Sequence, residues 1–203
     1  MTAPVVAVAR HRVTVDGQGI TTLVCFYGCP LRCKWCLNPF TWKESTPRKL
    51  MTPQQLYEQV RQDDLYFQAT GGGVTFGGGE PLLQSEFMEA FRNLCGDAWH
   101  LCAETSLNVP WEHVERAARS VDMFYVDCKD TDPEIYRSYT GQDNGFMLRN
   151  LKGLLELVGP ERIVVRVPLI PAYNTEQDRQ KSKQLLAELG VTQFDFFTYK
   201  TKK

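Results

Sequence analysis

Strand-like and helix-like segments take turns along almost the whole of this chain, which limits its architecture before any single residue is considered. Residues 21–26 form a β-branched, apolar run of the kind found in a strand covered on both faces. Thr52 before Pro53 starts a helix with Leu56 and Val60 on one side. Residues 74–76 are a short strand between glycine runs, and Ser85 caps a helix whose Phe87, Phe91 and Leu94 recur at helical spacing. Residues 99–103, 123–126, 163–167 and 194–197 read as further strands. Residues 111–119, 146–158 and 175–189 read as helices, the last two ending at Gly159-Pro160 and Gly190. Such alternation implies βαβ units on a parallel sheet. About six units are present, where eight would close a barrel of roughly 250 residues. The expectation is one α/β domain over residues 1–203, an open, partial (β/α)6 barrel with parallel strands. Its function should lie in loops at the C-terminal ends of the strands.

Composition then removes several functions. The formal net charge of −1 gives no electrostatic footprint for nucleic acid. No run approaches the roughly 18 apolar residues of a membrane span, and the first residues lack the basic-then-apolar pattern of a secretion signal. The basic stretch from Lys200 to Lys203 reads as a solvated terminus. Seven cysteines, an odd number unevenly placed in a chain of 203 residues, do not suit a secreted disulfide scaffold, which would be shorter and pair its cysteines evenly. Cys25, Cys95, Cys102 and Cys128 stand singly, as small buried hydrophobes do. That pattern points to a reducing cytoplasm.

The other three cysteines fall within Cys29-Pro30-Leu31-Arg32-Cys33-Lys34-Trp35-Cys36, in the loop after the strand at 21–26. Three thiolates are one fewer than a structural zinc site takes and one more than a disulfide. They suit a metal centre with one position left open, and cysteine is the usual ligand of iron–sulfur clusters. A zinc site completed by a distant side chain is the alternative, although His11, His100 and His113 show no ligand-like spacing. Downstream, Gly77-Gly78-Gly79-Glu80-Pro81 follows the next strand. Glycines there let backbone approach a ligand closely; a glycine-rich turn with a solvated Glu is the other reading.

The C-x3-C-x2-C spacing, with Trp35 before the last cysteine, resembles the radical S-adenosylmethionine enzymes. Within that superfamily the chain is most similar to the activating enzymes of glycyl radical enzymes. The likeness runs through Asp16-Gly17-Gln18-Gly19-Ile20, Cys36-Leu37-Asn38-Pro39, residues 71–75, Asp127-Cys128-Lys129 and Tyr139-Thr140-Gly141. It implies that Cys29, Cys33 and Cys36 hold three irons of a [4Fe-4S] cluster, the fourth being chelated by S-adenosylmethionine. It implies contacts to that cosubstrate from Gly78, Gly79, Glu80 and Arg166, and more weakly from Asn38 and Lys129. A monovalent cation (Na+ or K+) would sit among Glu104, Thr105, Tyr125 and Asp127. The partner would be a glycyl radical enzyme, met in part by Asp16, and the electron donor a flavodoxin or ferredoxin. The resemblance also implies a monomer without a ferredoxin-like insertion, acting anaerobically on neither nucleic acid nor membrane.

Three departures stand against that pattern. Glu104 replaces the family's Asp and is one methylene longer; Gln18 and Thr21 replace a Pro and an Arg. Thr198-Tyr199-Lys200 stands where the family has Pro-Tyr-His, with Lys200 in place of the imidazole. Two other functions stay open: a radical reaction on a small molecule or other peptide, and a non-catalytic metal-binding or electron-transfer module.

Overall fold

A computed structural model describes residues 1–199, so Lys200 and the basic stretch lie outside the described residues. The strands are β1 (Ala3–Val13), β2 (Ile20–Phe26), β3 (Lys49–Met51), β4 (Gly73–Gly78), β5 (His100–Thr105), β6 (Met123–Asp127), β7 (Ile163–Arg166) and β8 (Gln193–Asp195). They form one eight-stranded sheet in the order β3-β1-β2-β4-β5-β6-β7-β8. From β2 to β8 every neighbouring pair is parallel, which gives the six strands of the expected partial barrel. The helices are α1 (Pro53–Val60), α2 (Asp64–Thr70), α3 (Ser85–Cys95), α4 (Trp111–Ala118), α5 (Pro133–Thr140), α6 (Gly145–Val158) and α7 (Glu176–Glu188).

Each parallel strand sends alternate side chains in opposite directions, and the two sets differ in character. Val24 and Phe26, Val74 and Phe76, Leu101 and Ala103, Phe124 and Val126, and Ile163 and Val165 belong to one buried apolar core. Phe26 stacks on Phe76 at 5.7 Å, and Phe87 and Phe91 of α3 meet that pair edge-on at 5.5 and 5.6 Å. The intervening set, which includes Leu23, Glu104, Asp127 and Arg166, lines an internal cavity. β5, β6 and β7 therefore carry charge opposite their core face, whereas β2 keeps Thr21, Leu23 and Cys25 there and is covered on both sides.

Local signals explain most helix ends. Thr52 accepts from the Gln55 amide while Gln55 returns a bond to the Thr52 amide, a reciprocal capping box. Thr175 and Asp178 do the same for α7. Ser85 does not cap α3: it is the first helical residue, and its hydroxyl pairs with His113 Nδ1 at 3.0 Å. Leu94 is 38% exposed, so the α3 stripe is narrower than its spacing suggested.

The antiparallel pair β1 and β3, and the short helices α2 and α5, have no counterpart in the sequence reading. β1 is apolar from Ala3 to Ala9, with Ala3 and Val5 in the core, and turns polar at Arg10, where its register to β2 shifts between Ala9 and Arg12, a bulge that breaks the alternation a strand is recognised by. The bulge aims Arg10 and His11 at Asp63, between α1 and α2. Arg10 Nε and His11 Nε2 lie 2.7 and 3.0 Å from its carboxylate, which is fully buried. The Arg10 hydrogen bond lowers the Asp63 pKa. Asp63→Ala should therefore lower the unfolding free energy by about 2 kcal/mol, the low side for a buried pair because Arg10 is partly solvated. Urea unfolding at neutral pH measures it. The gap between parent and variant should close as pH falls through and below about 4, where the parent's Asp63 also becomes protonated.

Candidate functional site

The cysteine loop begins where β2 ends, and backbone hydrogen bonds fix it from three sides. The Gly28 amide donates to Thr41 O at 2.7 Å, in the short 3-10 turn Pro39–Trp42. The amides of Arg32 and Lys34 donate to the carbonyls of Thr140 and Tyr139, at 2.8 and 3.1 Å, at the C-terminal end of α5. Within the loop, Arg32 donates to Cys29 O at 2.6 Å, and Leu31 is buried. The role of Tyr139-Thr140-Gly141 thus becomes physical: the segment supplies acceptors that fold the loop.

The glycine segment lies beside this loop. Gly79 N donates to Phe26 O at 3.0 Å, and Glu80 N to Gly28 O at 2.7 Å. Gly78 has φ +84°, and a Cβ on Gly79 would fall 2.2 Å from Gly28 O, so no side chain fits between the two loops. Asn38 Nδ2 reaches Gly78 O at 3.5 Å. Glu80 is buried rather than solvated. Its carboxylate accepts from Thr105 Oγ1 at 2.6 Å, from the Ser106 amide and hydroxyl at 2.8 and 2.6 Å, and from the Leu82 amide at 3.2 Å. Burial raises its pKa, and these donors work against the rise. Glu80 consequently ties the end of β4 to the end of β5 and has little left to offer a ligand.

The inner wall across from the loops is ionic. Arg166 Nε donates to Asp127 Oδ1 at 2.7 Å, and one terminal nitrogen to Glu104 Oε1 at 2.7 Å. Lys129 Nζ stands 3.0 Å from Asp127 Oδ2 and 3.1 Å from Tyr199 OH. Burial opposes ionisation of Asp127, yet Arg166 and Lys129 outweigh it and bring its pKa to about 2. Glu104 is shifted upward, chiefly by burial, with Arg166 opposing. Asp16 was expected at the surface; it is buried and paired with Arg12, because the β1–β2 turn tucks inward and its Asp16 carbonyl receives the Thr75 hydroxyl.

One cleft of about 550 Å3 collects Cys29, Cys33, Cys36, Asn38, Gly78, Gly79, Glu80, Glu104, Asp127, Lys129, Arg166 and Asp16. Thr105 and Tyr125 are not among its lining residues: Thr105 is turned to Glu80, and the Tyr125 ring lies under Arg166. Sequence reasoning missed Arg12, Ser106 and Asp195, which also line the cleft. Ser106 and Asp195 sit at the ends of β5 and β8, where the barrel rule would have found them. Arg12 carries no such signal, since β1 itself was unread.

The residues fit an iron–sulfur cluster held at three corners. Three free thiols in one anchored loop line one cleft, next to a glycine segment that leaves backbone uncovered. The sulfurs are not drawn into a ligand set here: among the described residues no three His, Cys, Asp or Glu side chains stand as a metal site. Burial raises the Cys29 and Cys33 thiols to about 12 and 11, so loading with iron must release protons. A monovalent cation does not fit as well, because both carboxylates expected to bind it are engaged by Arg166 and Lys129.

A family model described as the Radical SAM superfamily matches residues 23–186. The (2S)-3-sulfopropanediol dehydratase activating enzyme of Klebsiella oxytoca is 30% identical over 245 residues, covering 89% of this chain and 76% of the relative. The pyruvate formate-lyase-activating enzyme of Staphylococcus aureus strain USA300 is 34% identical over 172 residues, covering 81% of this chain and 68% of the relative. Streptococcus suis SuiB, solved bound to S-adenosylmethionine, superposes with a TM-score of 0.66 at 15% identity, over 87% of this chain and 39% of that one. That last likeness concerns the fold alone.

The contact between the two loops is testable without any ligand. Gly79→Ala must push Gly28 O away, at a cost of about 2 kcal/mol. Thermal unfolding should fall by roughly 4–8 °C for a chain of this size.

Proposed function

Because the chain belongs to the radical SAM superfamily, we propose that it is a glycyl-radical-enzyme activase. It cleaves S-adenosylmethionine reductively and removes hydrogen from a glycine of a partner glycyl radical enzyme. The observation that carries this reading is the joining of the three-cysteine loop to the Gly78-Gly79 segment in one cleft. Curated relatives at 30% and 34% identity that bear the activating-enzyme name support it. When bound, a [4Fe-4S] cluster carrying the cosubstrate supplies the electron transfer and the 5′-deoxyadenosyl radical chemistry.

The protein's own part is to hold, orient and shield. Cys29, Cys33 and Cys36 supply the thiolates, and the bonds from Thr140 and Tyr139 keep their loop in place. Gly78, Gly79 and the Asn38 side chain would meet the amino group of the cosubstrate, and Lys129 and Arg166 its carboxylate. Glu80 acts one step back, by fixing the glycine segment. Val15 and Leu37, 64% and 77% exposed, flank the cleft as an apolar rim that a peptide loop can pass. Asp16 lines the cleft with its carboxylate paired to Arg12, so its contact with the partner loop falls inside the cleft.

The proposal includes a flavodoxin- or ferredoxin-type electron donor, a monomeric protein, a single domain over residues 1–203 and a single cluster. The alignment to the Klebsiella oxytoca relative runs over 245 residues, more than the length of this chain. That relative therefore carries segments this chain lacks. Among the described residues no helix is long and apolar enough to cross a membrane.

Anaerobically reconstituted, dithionite-reduced protein should form 5′-deoxyadenosine from S-adenosylmethionine. Ala at Cys29, Cys33 or Cys36 should abolish both the product and the site-differentiated cluster signal, whereas Cys95→Ala should keep both. Full cleavage by any of the three variants would remove the ligand assignment. Absence of product from the parent would favour the electron-transfer module. A glycine-loop peptide that becomes glycyl-radical-bearing, seen by electron paramagnetic resonance, separates an activase from an enzyme of small molecules.

A further inference from the structure

Three of the four residues that resemblance assigns to a monovalent cation are gathered around something else, and the fourth, Thr105, is bonded to Glu80. Glu104, Tyr125 and Asp127 stand on adjacent strands, β5 and β6, with Glu104 beside Tyr125 in register and Asp127 beside Arg166 of β7. Arg166 does not stay over its own strand. Its Nε meets Asp127, its guanidinium carbon lies 5.9 Å from the centre of the Tyr125 ring, and its terminal nitrogen meets Glu104 at 2.7 Å. The guanidinium thus crosses β6 and touches all three.

We infer that Arg166 is the resident cation of this site, and that the chain binds its sulfonium cosubstrate without a monovalent metal ion. The inference rests on the proposed activase reading for the identity of the cosubstrate, and its geometry is independent of it.

Length explains why position 104 is Glu. Strands β5 and β7 are separated by two strand spacings, close to ~10 Å. Arg166 covers most of that span, and the carboxylate must cover the rest. An Asp would stop one C–C bond, about 1.5 Å, short, leaving its charge free for an ion. With Glu the pair closes. The pairing within this wall is even: Glu104 and Asp127 face Arg166 and Lys129, two of each sign, with Asp195 further along the same cleft. Asp16 is matched separately by Arg12. A cation lodged between Glu104 and Asp127 would first have to displace the nitrogens already bonded to them. Arg166 also has more N–H groups than its two bonds use, so it can receive a carboxylate from the cleft while still serving Glu104 and Asp127. A metal ion and an arginine are replaced by one side chain.

The test uses two readings on the reconstituted protein. Thallium-205 NMR, with Tl+ as the probe ion and no cosubstrate present, should show no saturable site in the parent. Saturable binding that Glu104→Gln abolishes would overturn the inference. S-adenosylmethionine affinity should differ by less than about twofold between tetramethylammonium buffer and the same buffer with K+ or Na+. A tenfold tightening by either ion, 1.4 kcal/mol, would overturn it. Arg166→Met, freed of its guanidinium, should acquire saturable Tl+ binding that a second change, Asp127→Asn, removes; a folded Arg166→Met that gains none counts against the assignment. If Arg166→Met does not fold, the parent's Tl+ result still decides. Failure of S-adenosylmethionine to bind in any buffer would strike the activase reading and leave the Tl+ result standing.

Discussion

Two backbone hydrogen bonds, Gly79 N to Phe26 O and Glu80 N to Gly28 O, hold the site together. They splice the loop that follows β2 to the loop that follows β4, continuing the parallel register of those strands beyond the sheet itself. The sulfurs on one loop and the bare glycine backbone on the other can serve one ligand only because this seam is closed. It closes only because position 79 has no side chain. Glu80 then extends the seam to β5 through Thr105 and Ser106, so three consecutive loops behave as one rim.

The sheet makes a second demand. Its strands keep an apolar face toward the helices and place their charges inward, toward the cleft. Such charges are costly in a poorly hydrated space unless they are paired. Arg166, Lys129, Asp127 and Glu104 form that pairing, and Arg12 with Asp16 forms another. The mouth of the barrel is thereby both a polar wall able to recognise an anionic group and a closed set of charges that does not destabilise the strands carrying it.

Much of the architecture was legible in the sequence because parallel strands and amphipathic helices announce themselves by period and by punctuation. The six strands, five of the seven helices and the two motif loops fall where residue pattern places them. β1 escaped because its bulge at Arg10 and His11 breaks the alternation; α2 buries only Phe67, and α5 buries tyrosines that suit a strand as well as a helix. The cysteine and glycine motifs were readable because their spacing is local. The partners of Glu80 and Arg166 were not, since they lie on other strands and only the register of the sheet brings them together. Asp16 is the clearest case: a charged residue in a glycine-rich turn reads as solvated, and nothing local says that the turn folds inward.

The anchoring of Arg32 and Lys34 on the last carbonyls of α5 has a mechanical consequence. The cysteine loop has no freedom of its own on that side; it rides on the end of a two-turn helix. Any force that tilts α5 is transmitted rigidly to the sulfurs. The outer surface of that helix is thus a lever on the cysteine loop.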